Sequence, residues 1–263
     1  MYQHFSRPDW YLGRTGHLNA AVAEHRIGGI PAFMRGLRAL FVSDVHALDS
    51  TTDADLAALT AQMMAAKPDI ILLGGDYSDT RENACRVFAA WRALRAPLGL
   101  YGVKGNNDSE AWESDRALRR EMAGFGCKLL VNQSAALPLA GGTLIIGGVD
   151  EHRHGCPRAD GLFPARPSRK HYRILLSHYP SIPSQKPELM LSGHTHGGQF
   201  NLLGVTPYAV GFERFTRPRR ASAAISGLHE IDGMRLLVSK GIGASRIQLR
   251  VCVRPEIELL TFG

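Results

Sequence analysis

Five places in this 263-residue chain carry side chains able to bind a metal ion: Asp44-Val45-His46, Gly75-Asp76 with Asp79 three residues on, Gly105-Asn106-Asn107-Asp108, His178, and Gly193-His194-Thr195-His196. Mixed Asp, His and Asn donors suit hard to borderline divalent ions such as Mn²⁺, Fe²⁺ or Zn²⁺ better than Ca²⁺. Seven candidate ligands (Asp44, His46, Asp76, Asn106, His178, His194 and His196) exceed the needs of one ion. They suit two ions sharing a bridging carboxylate. Two metals about 3.5–4 Å apart are the arrangement that clamps attacking and leaving oxygens in phosphoryl transfer. Taken singly, each motif is weak: Asp-x-His recurs by chance, Gly-Asp is a common turn, and a lone His is more often a core or surface residue.

The elements that must position them give the set its weight. "RALFVS" (38–43), "DIILLG" (69–74) and "GLYGV" (99–103) read as buried strands, short and apolar and ended by glycine or polar residues. Residues 52–67 and 81–95 carry apolar side chains at helical spacing, and a third helix is expected over roughly 110–124, ahead of "CKLLV". This βαβαβα order implies parallel strands covered by helices. After residue 140 the chain changes to strand-like runs: "TLIIGGV" (143–149), "YRILLS" (172–177), "ELMLSG" (188–193), "AAISGL" (223–228), "RLLVS" (235–239) and "EIELLTF" (256–262). They suggest a second sheet packed face to face with the first in one core. Each candidate cluster follows a strand, and the carboxyl ends of strands are where loops converge on a site in α/β architectures.

Bulk composition fits an ordinary globular domain, 44% hydrophobic and 21% charged, with a net charge of +7 that favours anionic partners. Four scattered cysteines without a C-x-x-C pair argue for a reducing compartment. No run is long and apolar enough for a membrane span, and the start lacks a secretory h-region. The expected location is the cytoplasm, with room for peripheral contact with the inner face of a membrane. Residues 1–36 are expected to be an extension on or beside the core, covering an edge of the sandwich, with residues 37–263 forming a single domain.

The order and spacing of Asp44-x-His46, Gly75-Asp76-x-x-Asp79, Gly105-Asn106, His178 and Gly193-His194-x-His196 resemble the five blocks of the calcineurin-like metallophosphoesterase superfamily. A softer similarity over "LLVSKGIGASRIQLR" (236–250) points to a branch containing bacterial phosphodiesterases and UDP-2,3-diacylglucosamine pyrophosphatases. The resemblance implies a four-layer α/β/β/α sandwich of two mixed sheets. It implies one metal on Asp44, His46, Asp76 and His196 and another on Asp76, Asn106, His178 and His194, with Mn²⁺ the expected ion and Fe²⁺ or Zn²⁺ the alternatives. In-line attack on phosphorus by a hydroxide on the metals would follow, with Asp76, Asn106, Asn107 and Asp108 as the catalytic block. The expected substrate is a phosphorylated small molecule or a lipid-linked phosphate such as UDP-2,3-diacylglucosamine. Alternatives are a general or cyclic-nucleotide phosphodiesterase, and a weakly active scaffold of the same fold. Nucleic acid is a less favoured partner, since no aromatic-rich basic groove can be read.

One position departs from the family. Asn107 stands where most members carry His, and Asn cannot transfer a proton, a contribution typically worth about 10²–10⁴ in rate. A phosphate leaving group, with a second pKa near about 6, scarcely needs protonation. Asn107 therefore favours a pyrophosphate or another activated ester. Two further stretches invite a role. "ERFTRPRR" offers Arg214, Arg217, Arg219 and Arg220 as substrate-phosphate contacts. "DEHRHGCPRAD" places His152, His154 and Cys156 at alternate positions, with no second cluster to complete a zinc site; it reads as a solvated loop that could line the cleft.

Overall fold

The computed structural model describes residues 11–14, 16–166, 168–202, 205–206 and 224–263. In chain order the first half holds β1 (Leu12–Arg14), β2 (Ala21–Ile27), β3 (Arg38–Val42), α1 (Asp53–Ala65), β4 (Ile70–Leu73), α2 (Arg81–Ala90), β5 (Leu100–Gly102), α3 (Asn106–Ala111), α4 (Asp115–Ala123) and β6 (Cys127–Leu129). The second half holds β7 (Gln133–Leu139), β8 (Gly142–Gly148), β9 (His171–Leu176), β10 (Leu189–Ser192), β11 (Gly227–Ile231), β12 (Met234–Val238), β13 (Leu249–Val251) and β14 (Glu256–Phe262).

Two six-stranded mixed sheets result, ordered β2-β14-β3-β4-β5-β6 and β11-β12-β10-β9-β8-β7. Strands β3 to β6 are parallel, as are β8, β9, β10 and β12, while β14, β7 and β11 run antiparallel to their neighbours β3, β8 and β12. The near-continuous apolar reading of β3 and β4 has a direct cause. Leu40, Val42, Ile71 and Leu73 pack under the helices, with Leu59, Val87 and Leu118. Phe41, Ile70 and Leu72 face the second sheet, with Ile146, Ile174 and Leu191. A strand buried on both faces has no polar position to spare. The outer face of the second sheet, with Ile145, Leu175 and Met190, is covered among the described residues by loop side chains such as Leu162 and Phe163, so the fourth layer is built there from loops.

Helix ends follow local chemistry. Thr52 and Asp55 form a reciprocal capping box on α1, and Thr80 and Ser114 cap α2 and α4. The Ser114 cap explains why the single helix expected over 110–124 is two: Trp112 is extended (φ −113°, ψ 133°), and Ser114 starts α4 afresh. Strand β7, "QSAALPL", went unanticipated; it carries Pro138 on the outer strand of its sheet, where a missing N–H is tolerated. "AAISGL" begins its strand late, at Gly227, and residues 221–223 lie outside the described set. Residues 21–27 do more than lie on an edge: β2 is hydrogen-bonded in parallel along all of β14 as the outer strand. No helix among the described residues is long and apolar enough to cross a membrane, and all four cysteines are free.

Candidate metal centre

The two parallel sets of strands deliver their carboxyl ends to one place. Asp44 and His46 follow β3, Asp76 follows β4, Asn106 opens α3 after β5, His178 follows β9, and His194 and His196 follow β10. Two triads form there, Asp44–His46–His196 and Asp76–His178–His194, each with ligand atoms within 4.8 Å of one another. Asp76 Oδ2 lies between them, 3.5 Å from His46 Nε2 and 3.3 Å from His178 Nε2. Its other oxygen, Oδ1, accepts the backbone N–H of Asn107 at 2.9 Å. One oxygen of Asp76 is therefore fixed by the main chain and the other is turned to both triads.

Neighbours fix the imidazoles. Asp79 Oδ1 lies 2.7 Å from His46 Nδ1, and His178 Nδ1 lies 2.9 Å from Gly74 O, so each ring is held through Nδ1 and turns Nε2 towards Asp76. His46 Nε2 is buried without a hydrogen-bond partner among the described residues. His196 Nε2 is 3.5 Å from Asp44 Oδ1, its Nδ1 side facing Gly243 O and the Arg250 guanidinium, each at 3.3 Å. Arg250 is fully buried and also donates to the carbonyls of Gly243 and Lys240, tying the 240–243 turn to His196. His194 presents Nδ1, 3.3 Å from His178 Nε2.

Backbone geometry is as demanding as the side chains. Asp44, His46, Asp76, His194 and His196 all have positive φ, between 42° and 68°, a region that non-glycine residues occupy rarely and that clusters at functional sites. The approach is too close for side chains at Gly105 and Gly193: a Cβ there would sit 2.0 Å from Asp76 Oδ1 and 2.1 Å from Asp44 Oδ2.

The electrostatics are those of a site built for cations. Burial alone would push Asp76 up, but His178, His46 and His194 hold it well below the usual carboxylate range. Burial pulls His178 down, and Asp76 overrides it, raising the ring to about 10. Burial and then the charge of His178 force His194 down to about 3. Burial also raises Asp44 and lowers His196. Four imidazoles and two carboxylates crowded together, with a buried His46 nitrogen unmet among the described residues, fit two divalent ions by donor type and by placement, ions that would displace the proton His178 otherwise holds.

Other expected residues fall into place differently. Asn106 Oδ1 accepts from Tyr179 Oη at 3.3 Å, and the Tyr179 ring lies 3.8 Å from that of His194, so Asn106 adjoins the second triad. The Asn107 side chain donates through Nδ2 to Asp79 Oδ1 and lies 3.4 Å from His46 Nδ1. Asp108 is fully buried, and its carboxylate accepts the backbone N–H groups of Asp76, Tyr77 and Gly105 at 2.7, 3.1 and 2.8 Å. It binds the β4 turn to the β5 turn, the place of a positioning group set behind the site. Burial and Asp76 push it up to about 7 against the pull of those donors. Arg214, Arg217, Arg219 and Arg220 lie outside the described residues. His154 turns to Glu110 at 2.8 Å and Cys156 is exposed, so His152, His154 and Cys156 do not converge. Reading the sequence missed Arg250 and Tyr179, whose partnerships are tertiary; Asp79 was visible in its motif without a role.

The calcineurin-like phosphoesterase family profile matches residues 37–198. The chain is 30% identical to the uncharacterized metallophosphoesterase YkuE of Bacillus subtilis, over 90% of this chain and 84% of that protein. It is 30% identical to YkoQ of the same organism, also described as an uncharacterized metallophosphoesterase, over 87% and 84%. It is 26% identical to the phosphodiesterase YaeI of Escherichia coli, over 98% and 91%. The profile spans more than half of the chain and includes both triads, and the relatives run along most of its length: the chain belongs to the calcineurin-like phosphoesterase family and is a metal-dependent phosphoesterase.

Proposed function

We propose that the chain hydrolyses a pyrophosphate-containing or similarly activated phosphodiester, with one ion on Asp44, His46, Asp76 and His196 and a second on Asp76, Asn106, His178 and His194. The observation that carries this reading is Asp76 Oδ2, placed between His46 and His178 while Asn107 N–H holds Oδ1. When bound, the two ions supply Lewis-acid charge that acidifies water and neutralises the phosphate oxygens. The protein's own part is to hold His46, through Asp79, and His178, through Gly74 O, in the tautomer with Nε2 free. Asn107 has no proton to give, and its amide is engaged by Asp79, so a leaving group that departs without protonation is favoured.

A lipid-linked substrate such as UDP-2,3-diacylglucosamine fits the surroundings. Leu12, Leu202, Val205 and Ile247 are 75%, 60%, 56% and 59% exposed, and all belong to β1, the approach to β13, or the bridged segment after His196 that pairs with Val251. With the net charge of +7, such exposed apolar residues favour peripheral attachment to an anionic membrane from the cytoplasm; Mn²⁺ is the ion proposed, on the mixed Asp, His and Asn donor set. The name of the Escherichia coli relative favours a second reading, a plain phosphodiesterase.

Metal-loaded protein assayed on a UDP-linked pyrophosphate diester and on bis-p-nitrophenyl phosphate separates the two. Faster turnover of the pyrophosphate supports the first reading. Equal turnover of alkyl diesters, with Asn107→His changing neither rate, refutes the leaving-group argument.

A further inference from the structure

A cavity of about 370 Å³ lies on the outer side of the second sheet, between the loop that follows β8 and the turn that follows His178. Val149 and Leu175, both buried, form its floor, Pro157, Ala159, Ile182 and Pro183 its apolar walls, and Arg158 and Ser181 add polar side chains to the lining. Sites for small ligands commonly span about 300–1,000 Å³, with mostly apolar walls and a few placed polar groups. Ser184 Oγ donates to Asp160 Oδ1 at 2.6 Å, so these two polar lining groups satisfy each other and tie the two loops together.

His152 connects this cavity to the metal centre. It lines the cavity, its ring centroid is 5.2 Å from that of Tyr179, and the Tyr179 ring is 3.8 Å from that of His194. A single aromatic side chain therefore separates the cavity's His152 from the second triad. Nδ1 of His152 is buried and has no hydrogen-bond partner among the described residues. Burial, the largest cause, holds the ring down to about 4, so the wall nearest the metals is uncharged at neutral pH.

We propose that this cavity is the subsite for an apolar arm of the substrate, an alkyl or acyl chain carried on the phosphoester whose phosphate sits at the two triads. The proposal rests on the phosphoesterase reading for the phosphate and adds the class of group attached to it. The buried floor and the walls of Pro157, Ala159, Ile182 and Pro183 offer an alkyl or acyl chain apolar contact along its length, while the polar side chains of Arg158, Ser181 and the paired Asp160 and Ser184 complete the lining. Each methylene moved from water into such a cavity strengthens binding several-fold.

The test compares methyl and hexyl p-nitrophenyl phosphodiesters on metal-loaded protein. The wild type should favour the hexyl ester in kcat/KM by about tenfold or more. Ile182→Trp and Ala159→Leu, which fill the cavity from different walls, should each bring the hexyl-to-methyl ratio to about one. A wild-type ratio near one, or a preference that survives in both folded variants, overturns the proposal. If neither ester is hydrolysed, the substrate reading under Proposed function fails, and methyl NMR of the metal-free protein decides the cavity by itself. There 1-hexanol should shift the Val149, Leu175 and Ile182 methyl signals and leave those of Leu40 and Leu73 in place; unshifted cavity methyls overturn the proposal.

Discussion

Asp76, just beyond β4, and Glu258, in the middle of β14, are both buried carboxylates, at 2% and 1% exposure, yet their surroundings treat them in opposite ways. Burial penalises the charge of each. Around Asp76 three imidazoles outweigh that penalty and hold it ionised, while Asn107 N–H fixes one oxygen. Glu258 has one imidazole, His25 Nε2 at 2.7 Å from Oε2, and burial lifts it to about 7. Burial alone thus does not mark a functional acid. The mark is an excess of inward-facing imidazole nitrogens around a carboxylate whose position the main chain enforces.

The contrast can be broken in order of expected effect. Asp76→Ala removes a ligand from both proposed ions, so kcat/KM with Mn²⁺ should fall by well over the ~100-fold that loss of an outer partner costs a metal site. Retained activity would place Asp76 with Glu258 as a merely buried acid. Asp108→Ala leaves three backbone N–H groups without their acceptor, at about 1–3 kcal/mol each when no water replaces it. Chemical denaturation should show a loss of about 3 kcal/mol or more; a loss near zero would mean that Asp108 does not hold the two turns. Asp79→Asn weakens the support of His46 and of the Asn107 amide, and should lower the affinity of the first triad for metal by about 10–100-fold, read by calorimetric titration. The smallest effect belongs to Glu258→Gln. A carboxyl raised from 4.5 to about 7 in the folded state binds its proton more tightly there, so wild-type stability falls as pH rises from 4.5 to 7 and then levels. The Gln variant lacks that slope: its Tm should exceed the wild type's at pH 8, with the gap closing towards pH 4, and activity should be unchanged.

Much of the candidate site was legible because its proposed ligands follow strands that are themselves easy to read. "RALFV" and "IILL" are buried on both faces, so their sequence is continuous and apolar, and the residues just past them stand out. Outer and short strands were harder. In "AVAEHRI" half-exposed polar residues break the apolar pattern, and "QSAALPL" carries a proline, so β2 and β7 came from the structure. The supporting residues were harder still, because their partners are distant in sequence: Arg250 meets His196 across 54 positions, and Tyr179 meets Asn106 across 73. Nothing local distinguishes that buried arginine from a surface one. Asp108 misled for a related reason. Its motif neighbours Asn106 and Asn107 line the site, but α3 begins at Asn106 and turns the Asp108 carboxylate back to the N–H groups behind it.

The central claim is that two ions share Asp76, and Mn²⁺ titration of metal-free protein followed by electron paramagnetic resonance tests it most directly. The expected result is two ions per chain with an exchange-coupled signal in the wild type, and loss of that coupling in Asp76→Ala. A single ion per chain, or two ions whose signals stay uncoupled in the wild type, would contradict it.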